Sequence, residues 1–241
     1  KENLAPEKSW SFNLNYVKDY YTKRGQILKV DSSIFKTLFT NRIIPDYDSN
    51  PNQIIFSNLD GIVISQGVSV DFLGTMSNVL DFQVGFTFVD TYIKENDIKS
   101  IPYLTENFSG SYKLTYYNSF TKSKFDLTGN IVGPMRLPLL SSLDPRPGFS
   151  PTFNILNLQV TKKVSNFEFF IGVKNLFDFK PPLNSIARAF DPFDREVLFD
   201  KSGNAVVTEN NPFGLTFDPT YVFYSNQGRR SFFGLRYLIN N

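Results

Sequence analysis

Phe108-Ser109-Gly110-Ser111-Tyr112-Lys113-Leu114-Thr115-Tyr116 is the stretch that decides the fold of this chain. In an extended strand successive side chains point to opposite faces. Phe108, Gly110, Tyr112, Leu114 and Tyr116 therefore share one face, and Ser109, Ser111, Lys113 and Thr115 the other. After a short connection at 119–122 the pattern restarts, with Phe125, Leu127, Gly129 and Ile131 against Lys124, Asp126, Thr128 and Asn130. Upstream, Leu80, Phe82, Val84, Phe86 and Phe88 alternate with Asp81, Gln83, Gly85 and Thr87. Trp10, Phe12, Leu14 and Tyr16 alternate with Ser11, Asn13 and Asn15. Downstream, Leu156, Leu158 and Val160 oppose Asn157, Gln159 and Thr161. Phe167, Phe169, Ile171 and Val173 oppose Glu168, Phe170, Gly172 and Lys174. Weaker forms of the pattern occur around Leu28–Leu38 and Val68–Phe72, and again at Phe233, Leu235, Tyr237 and Ile239, so the chain reads as about nine strands.

The connections carry a second signal. Four are short, at 22–25, 77–78, 119–122 and 165–166, and four are long, at 41–60, 94–103, 137–151 and 179–228. They alternate strictly. A bacterial outer-membrane barrel has this asymmetry, with tight periplasmic turns and long extracellular loops. The competing reading is a soluble β-sandwich with one wet face. Sandwich strands run to about 5–6 residues, whereas many here run to about 12 or more. A Greek key has no reason to alternate loop lengths, and aromatic residues gather near strand ends as in an interfacial girdle. The expected fold is all-β, a transmembrane antiparallel β-barrel.

Composition agrees. The 241 residues include 26 Phe and 12 Tyr, which favour strands. Net charge is +2 with the basic residues scattered, which argues against nucleic acid as a partner. Mean hydropathy is −0.21, and no apolar run approaches the roughly 18 residues of a spanning helix. There is no Cys and no His. Disulfide scaffolds, thiol chemistry and thiolate metal sites are excluded, as is a Ser-His-Asp triad. No catalytic residue, resident metal or cofactor is expected, and the chain reads as a non-enzyme. Residues 1–6 are polar with no apolar core after them, so no signal peptide is expected within the chain. Nine strands is an odd number where single-chain bacterial barrels have even ones. The expectation is therefore a processed or partial chain, 1–241 forming the C-terminal segment of a larger barrel.

Three motifs give that expectation a family. Asn3-Leu4-Ala5-Pro6-Glu7-Lys8-Ser9, followed by Trp10-Ser11-Phe12, resembles the L-x-P-E-x-S segment of TonB-dependent receptor barrels. Gly172-Val173-Lys174-Asn175-Leu176-Phe177-Asp178 resembles their penultimate-strand V-x-N-L-F-D motif. Arg229-Arg230-Ser231-Phe232-Phe233-Gly234-Leu235-Arg236-Tyr237 resembles their closing strand, with two departures: Phe232 stands at a usually polar position, and Asn240 and Asn241 follow Ile239 where an aromatic end is usual. The segments at 133–139 and 187–194 are similar to receptors of the Bacteroidetes group. The resemblance implies a plugged barrel of about 22 strands in the outer membrane of a Gram-negative bacterium, in contact with lipid and lipopolysaccharide. It implies an N-terminal plug domain and a TonB box, absent from these residues, that couple to the TonB-ExbB-ExbD system.

Candidate site residues lie in the long connections. Arg136, Asp144 and Arg146 flank or occupy a loop stiffened by Pro138, Pro145, Pro147 and Pro151. Arg188, Asp191, Asp194 and Arg195 occupy the longest loop, whose Phe190, Phe193, Phe199, Phe213 and Phe217 argue against disorder. These seven can contact an anionic or chelated substrate, although an exposed Arg–Asp pair is ordinarily a surface ion pair worth under about 1 kcal/mol. Asp200-Lys201-Ser202-Gly203-Asn204 reads as a hairpin turn. Asn175 and Asp178 read as turn-favouring residues at a strand end. The string Asp46-Tyr47-Asp48-Ser49-Asn50 lacks the Gly and Glu of a calcium loop, so no metal is assigned to it. Asp81, Asp126, Lys113, Lys124 and Lys174 are expected to face the lumen, toward plug or water. The functional expectation is TonB-dependent uptake of a ferric siderophore or other metal chelate. The alternatives are a SusC-like glycan importer with a surface lipoprotein lid, and a soluble or surface β-rich binding protein.

Overall fold

The computed structural model describes residues 4–22, 26–46, 55–77, 79–139, 144–181, 198–202, 205–209, 211–212, 214 and 221–239. Among them there is no α-helix. Nine long strands form one antiparallel meander: β1 (Lys8–Tyr21), β2 (Ile27–Thr40), β5 (Ile62–Met76), β6 (Leu80–Glu95), β8 (Phe108–Asn118), β9 (Ser123–Val132), β10 (Phe153–Val164), β11 (Phe167–Lys174) and β12 (Arg230–Tyr237). Two short hairpins decorate it. One pairs β3 (Ile43–Asp46) with β4 (Ile55–Asn58), and the other adds β7 (Ile98–Ser100) to the end of β6. The sheet is open, with β1 and β12 as its edges among the described residues.

Cross-strand register sorts the side chains by face. One row runs Leu14, Ile34, Val68, Phe88, Phe108 across five strands. The adjacent row, one residue along, runs Asn15, Ser33, Ser69, Thr87, Ser109. The apolar row is the exposed one: Leu14 keeps 59% of its surface, Ile34 57% and Phe88 56%. The polar row is tied side chain to side chain, with Ser33 Oγ 2.7 Å from Ser69 Oγ. On the same polar face Thr115 donates to Asp126 Oδ1 at 2.8 Å and is almost fully buried. A soluble sandwich buries its apolar face against a second layer. Here the apolar face is bare across the meander, a continuous patch far beyond what a soluble monomer shows.

Aromatic residues sit toward both ends of that face. Trp10, Tyr92 and Phe88 lie toward the long connections. Tyr116 against Phe125, and Phe167 against Tyr237, lie toward the short turns. The turns place residues in the left-handed region where the chain reverses, at Ser77 (φ 53), Lys122 (φ 51) and Ser165 (φ 52). Asn96 (φ 46) and Asp97 (φ 63) are both left-handed, the geometry of a two-residue type I′ hairpin, and join β6 to β7. The connection expected at 94–103 is therefore partly sheet, as is the one at 41–60. On the polar face near the closing strands, the Phe232 ring fills the space a Cβ would need at Gly172, and the Phe170 ring does the same at Gly234. Phe232 thus occupies a usually polar position because a glycine on the next strand makes room for it.

The small buried core lies on the inward, polar face at the long-connection end. Met135, Phe153 and Ile155 pack with Val132, Phe179, Phe223 and Tyr224. Phe153 and Phe179 stack with centroids 4.4 Å apart. The return of the longest connection, from Tyr221 onward, thus folds back over the inward face of β10.

Candidate functional site

Every long connection opens at the same end of the meander, and the sequence there sets how each is pinned. The β3–β4 hairpin is held at its base by Asn58, whose Nδ2 donates to Asn41 O (2.7 Å) and Ala5 O (2.9 Å). Glu7 Oε1 accepts the Ile43 N–H at 2.8 Å. Glu7 belongs to the Asn3–Ser9 motif, so that motif braces the first loop. Of the string 46–50, only Asp46 lies within the described residues. No group of three potential metal-ligating side chains occurs among the described residues.

Between this hairpin and residues 100–105 lies a cavity of about 510 Å³, with Arg136 on its wall. Arg136 Nη1 donates to Ile101 O and Nη2 to the Tyr103 hydroxyl, each at 2.9 Å, and the guanidinium lies 4.1 Å from the Tyr103 ring centroid. Its backbone bridges to Tyr103 and to Phe149. Arg136 is therefore a fixed cation at the mouth, with little rotamer entropy left to lose on meeting a ligand.

Asp144 and Arg146 depart from the expected surface pair. Arg146 Nη2 lies 2.7 Å from Asp144 Oδ2 and Arg146 Nε 3.0 Å from Oδ1, and both side chains are buried. The Arg146 guanidinium stacks 3.8 Å from the Tyr221 ring centroid, and the Tyr221 hydroxyl donates to Pro147 O. Tyr221 is itself almost fully buried. The pair is thus engaged inside the mouth, clamping the 137–151 connection to the return of the 179–228 connection. Residues two apart in sequence announce a possible pair, but its burial depends on a tyrosine 75 positions away.

Arg188, Asp191, Asp194 and Arg195 lie outside the described residues. The hairpin expected at 200–204 is present at its described ends, with Phe199 bridged to Ala205 and Val206 N–H donating to Leu198 O at 2.7 Å. Ser202 N–H donates to Asp200 Oδ1.

The Asn175–Asp178 motif is a staple. Asn175 is buried with φ 52; its Oδ1 accepts the Phe179 N–H (2.9 Å) and its Nδ2 donates to Phe179 O (2.7 Å). Arg229 donates its backbone N–H to Asp178 Oδ1 at 2.6 Å and its Nε to Leu176 O at 2.9 Å. The turn reading of both residues is thus accounted for: they fix the exit of β11 beside the entry of β12. The Arg229 N–H, helped by Lys180, holds the Asp178 carboxyl below its ordinary value.

On the inward face toward the short turns lie two adjoining cavities. One, of about 690 Å³, is lined by Lys122, Lys124, Lys163, Glu168, Phe170 and Arg236 among others. The other, of about 360 Å³, adds Lys113, Asp126, Lys174 and Phe232. Register puts Lys113, Thr128 and Asn157 in one row and Asp81, Thr115, Asp126 and Gln159 in another, and Lys124 and Lys174 line the same cavity as Lys113 and Asp126, so the five expected lumen-facing charges share the inward face. Lys122, Lys163 and Arg236 belong with them and are the residues sequence reading left out. Strand parity carries the signal for Lys163 and Arg236, but their convergence needs the register.

A long meander with a bare apolar face, a polar inward face and loops gathered at one end defines a portion of an outer-membrane-type β-barrel wall, not closed on itself. The chain matches the family described as "TonB dependent receptor-like, beta-barrel" over residues 1–176, and it belongs to that family, which is a transport-receptor rather than an enzyme class. No curated protein matches it. Among solved structures it is similar to the ferric-catecholate import receptor Fiu from E. coli K12, with TM-score 0.60 and 14% identity over 97% of this chain and 28% of that one. It is similar to the ferripyoverdine receptor of the outer membrane of Pseudomonas aeruginosa, with TM-score 0.60 and 13% identity over 97% and 27%. It is also similar to the ferric yersiniabactin uptake receptor FyuA from Yersinia pestis, with TM-score 0.51 and 13% identity over 71% and 25%. The chain thus spans little more than a quarter of these receptors' length, and the likeness is one of fold.

Proposed function

We propose that this chain is the C-terminal barrel segment of a TonB-dependent receptor in the outer membrane of a Gram-negative bacterium, taking up a ferric siderophore or another metal chelate. The observation that carries the reading is the opposition of two adjacent register rows, Leu14 to Phe108 bare and apolar, Asn15 to Ser109 polar and inward. In this reading the apolar rows meet lipid and lipopolysaccharide, and the inward rows line a lumen filled by an N-terminal plug. Energy reaches the plug through TonB, ExbB and ExbD. Arg136 supplies a cation at the mouth, and Arg188, Asp191, Asp194 and Arg195 belong to the same mouth. The Asp144–Arg146 pair holds two mouth loops together and contributes to uptake by positioning them. Three of the similar folds are receptors for ferric chelates by name, which favours that substrate class.

The test is expression of the full-length receptor in a strain lacking its own siderophore receptors, with fractionation and uptake of radio-iron chelates. The expected result is protein in the outer-membrane fraction and uptake abolished by a protonophore. Recovery in the soluble fraction would overturn the membrane reading in favour of a β-rich binding protein. Membrane localisation with uptake of oligosaccharides and not chelates would move the substrate to the glycan class.

A further inference from the structure

The inward cavities near the short turns hold more positive charge than the chain neutralises. Six basic side chains line them: Lys113, Lys122, Lys124, Lys163, Lys174 and Arg236. Two carboxylates stand among them, each already paired: Asp126 with Lys124 at 2.9 Å and Glu168 with Arg236 at 3.0 Å. A third, Asp81, sits one strand away from Lys113 on β6 and forms no ion pair among the described residues. Lys113, Lys122, Lys163 and Lys174 therefore have no carboxylate partner among the described residues. The remaining inward strand acids among the described residues are Asp19 on β1, Asp31 and Asp71, which face each other across β2 and β5, and Glu95 at the long-connection end of β6. Their backbones lie about 10 Å or more from that of Lys113 at about 4.8 Å per strand, and the Asp71 carboxylate leans over Gly85 toward β8.

The arrangement of the cations selects the kind of anion. Lys163 pairs in register with Glu168, and Lys174 lies six residues further along the same strand, about 20 Å away at the rise of a β-strand. A compact anion reaches one or two of these amines at once. An extended polypeptide covers about 20 Å with some six residues and can place a carboxylate opposite each. Between the cations stand Thr128, Asn157, Gln159 and Thr161, whose hydroxyls and amides suit a polypeptide backbone, and Phe170 and Phe232 give an apolar floor. We propose that the inward strip from Lys122 and Lys163 to Lys174 is a docking surface for an acidic polypeptide segment lying in the lumen. The inference rests on the reading that this face lines a barrel lumen, and it adds the charge of whatever polypeptide lies against β8–β12.

The test is zero-length carbodiimide cross-linking of the full-length receptor in isolated outer membranes, followed by peptide mass spectrometry. The reagent joins an amine to a carboxylate already in contact with it. The expected result is cross-links from Lys122, Lys163 or Lys174 to Asp or Glu outside the strip. Arg236→Gln removes a cation that cannot itself be cross-linked. It frees Glu168 to compete for Lys163, so the yield at Lys163 falls about threefold, the factor one exposed ion pair carries. Complete acetylation of these lysines by a small amine reagent, with no cross-links, would show a water-filled strip and overturn the proposal. Protection of the lysines by citrate or phosphate alone, again without cross-links, would assign the strip to a small anion instead. The membrane fractionation of the same sample separates failure of this proposal from failure of the barrel reading.

Discussion

Lys113 and Leu114 are neighbours in sequence and occupy opposite environments. Leu114 lies in an outward row with Phe82 and Leu127, while Lys113 lies in an inward row with Gln83 and Thr128. Such period-two opposition usually separates a core from water. Here it separates a bare apolar surface from a polar interior, which inverts the usual sense. The difference teaches where stability comes from: the outward rows need a low-dielectric surrounding, and the inward rows need water or polar partners. Among the described residues the inward face behaves most like an ordinary protein interior at the mouth, where loops fold over Phe153 and cover the Asp144–Arg146 pair.

That exception yields the largest expected effect. Arg146→Met leaves Asp144 buried without its guanidinium, and removing one partner of a buried pair costs about 3–5 kcal/mol. The mouth should open, with a large rise in protease cleavage within 137–151 while the strands stay folded. The double variant Asp144→Leu with Arg146→Met should recover most of the loss, because the desolvation of both charges disappears. Unchanged cleavage in the single variant would mean that the loops are held elsewhere. Next in size is a charge on the outward face. Leu114→Arg, one outward position inside the Tyr116–Phe125 pair, should cost about 1–3 kcal/mol, between the midplane and interface values for a lipid-facing charge, whereas Lys113→Leu one position away should stay within about 0.5 kcal/mol. Urea unfolding of both variants in lipid vesicles measures the contrast, and equal losses would erase the distinction between the faces.

The faces were legible in the sequence because they depend only on parity, which Phe108–Tyr116 and Leu80–Phe88 keep without a break. So were the four short turns, which separate runs of clear alternation. The hairpin turn at 200–204 was legible too, but the β3–β4 and β6–β7 hairpins were not read, although Asn96-Asp97 is a pair suited to two left-handed residues. What lay beyond reading was anything set by contacts between distant segments. The stack of Tyr221 on Arg146, and the gathering of Lys122, Lys163 and Arg236 around one cavity, depend on chain return and register, which a local pattern does not encode.

The staple between β11 and β12 sharpens the comparison from the other side, since it sits where inward wall meets mouth. Asn175→Ala removes two hydrogen bonds from a buried group and forces alanine to φ 52. A loss of about 1–3 kcal/mol is expected for the unsatisfied partners. Asn175→Gly relieves the backbone but not the hydrogen bonds, so thermal unfolding of the two variants apportions the cost. A glycine variant as stable as the parent would show that the side chain matters only for its backbone angle.

The smallest effect is one of pH. Asp178 has its carboxyl lowered in the folded protein, first by the Arg229 N–H and then by the charge of Lys180. A lowered folded value means that the unfolded chain takes up the proton first as pH falls. The contribution of the staple is therefore complete above the ordinary carboxylate value of about 4, and it fades as pH drops through the lower folded value. Hydrogen exchange at the Arg229 amide, corrected for its intrinsic rate, should show constant protection from neutral pH to about 5 and progressive opening below about 4. Asp178→Asn keeps an oxygen to accept that N–H but has nothing to titrate, so its protection should be weaker at neutral pH and flat across the range. A parent and variant with the same acid-induced opening would place the titrating group elsewhere in the mouth and detach the staple from the charge of Asp178.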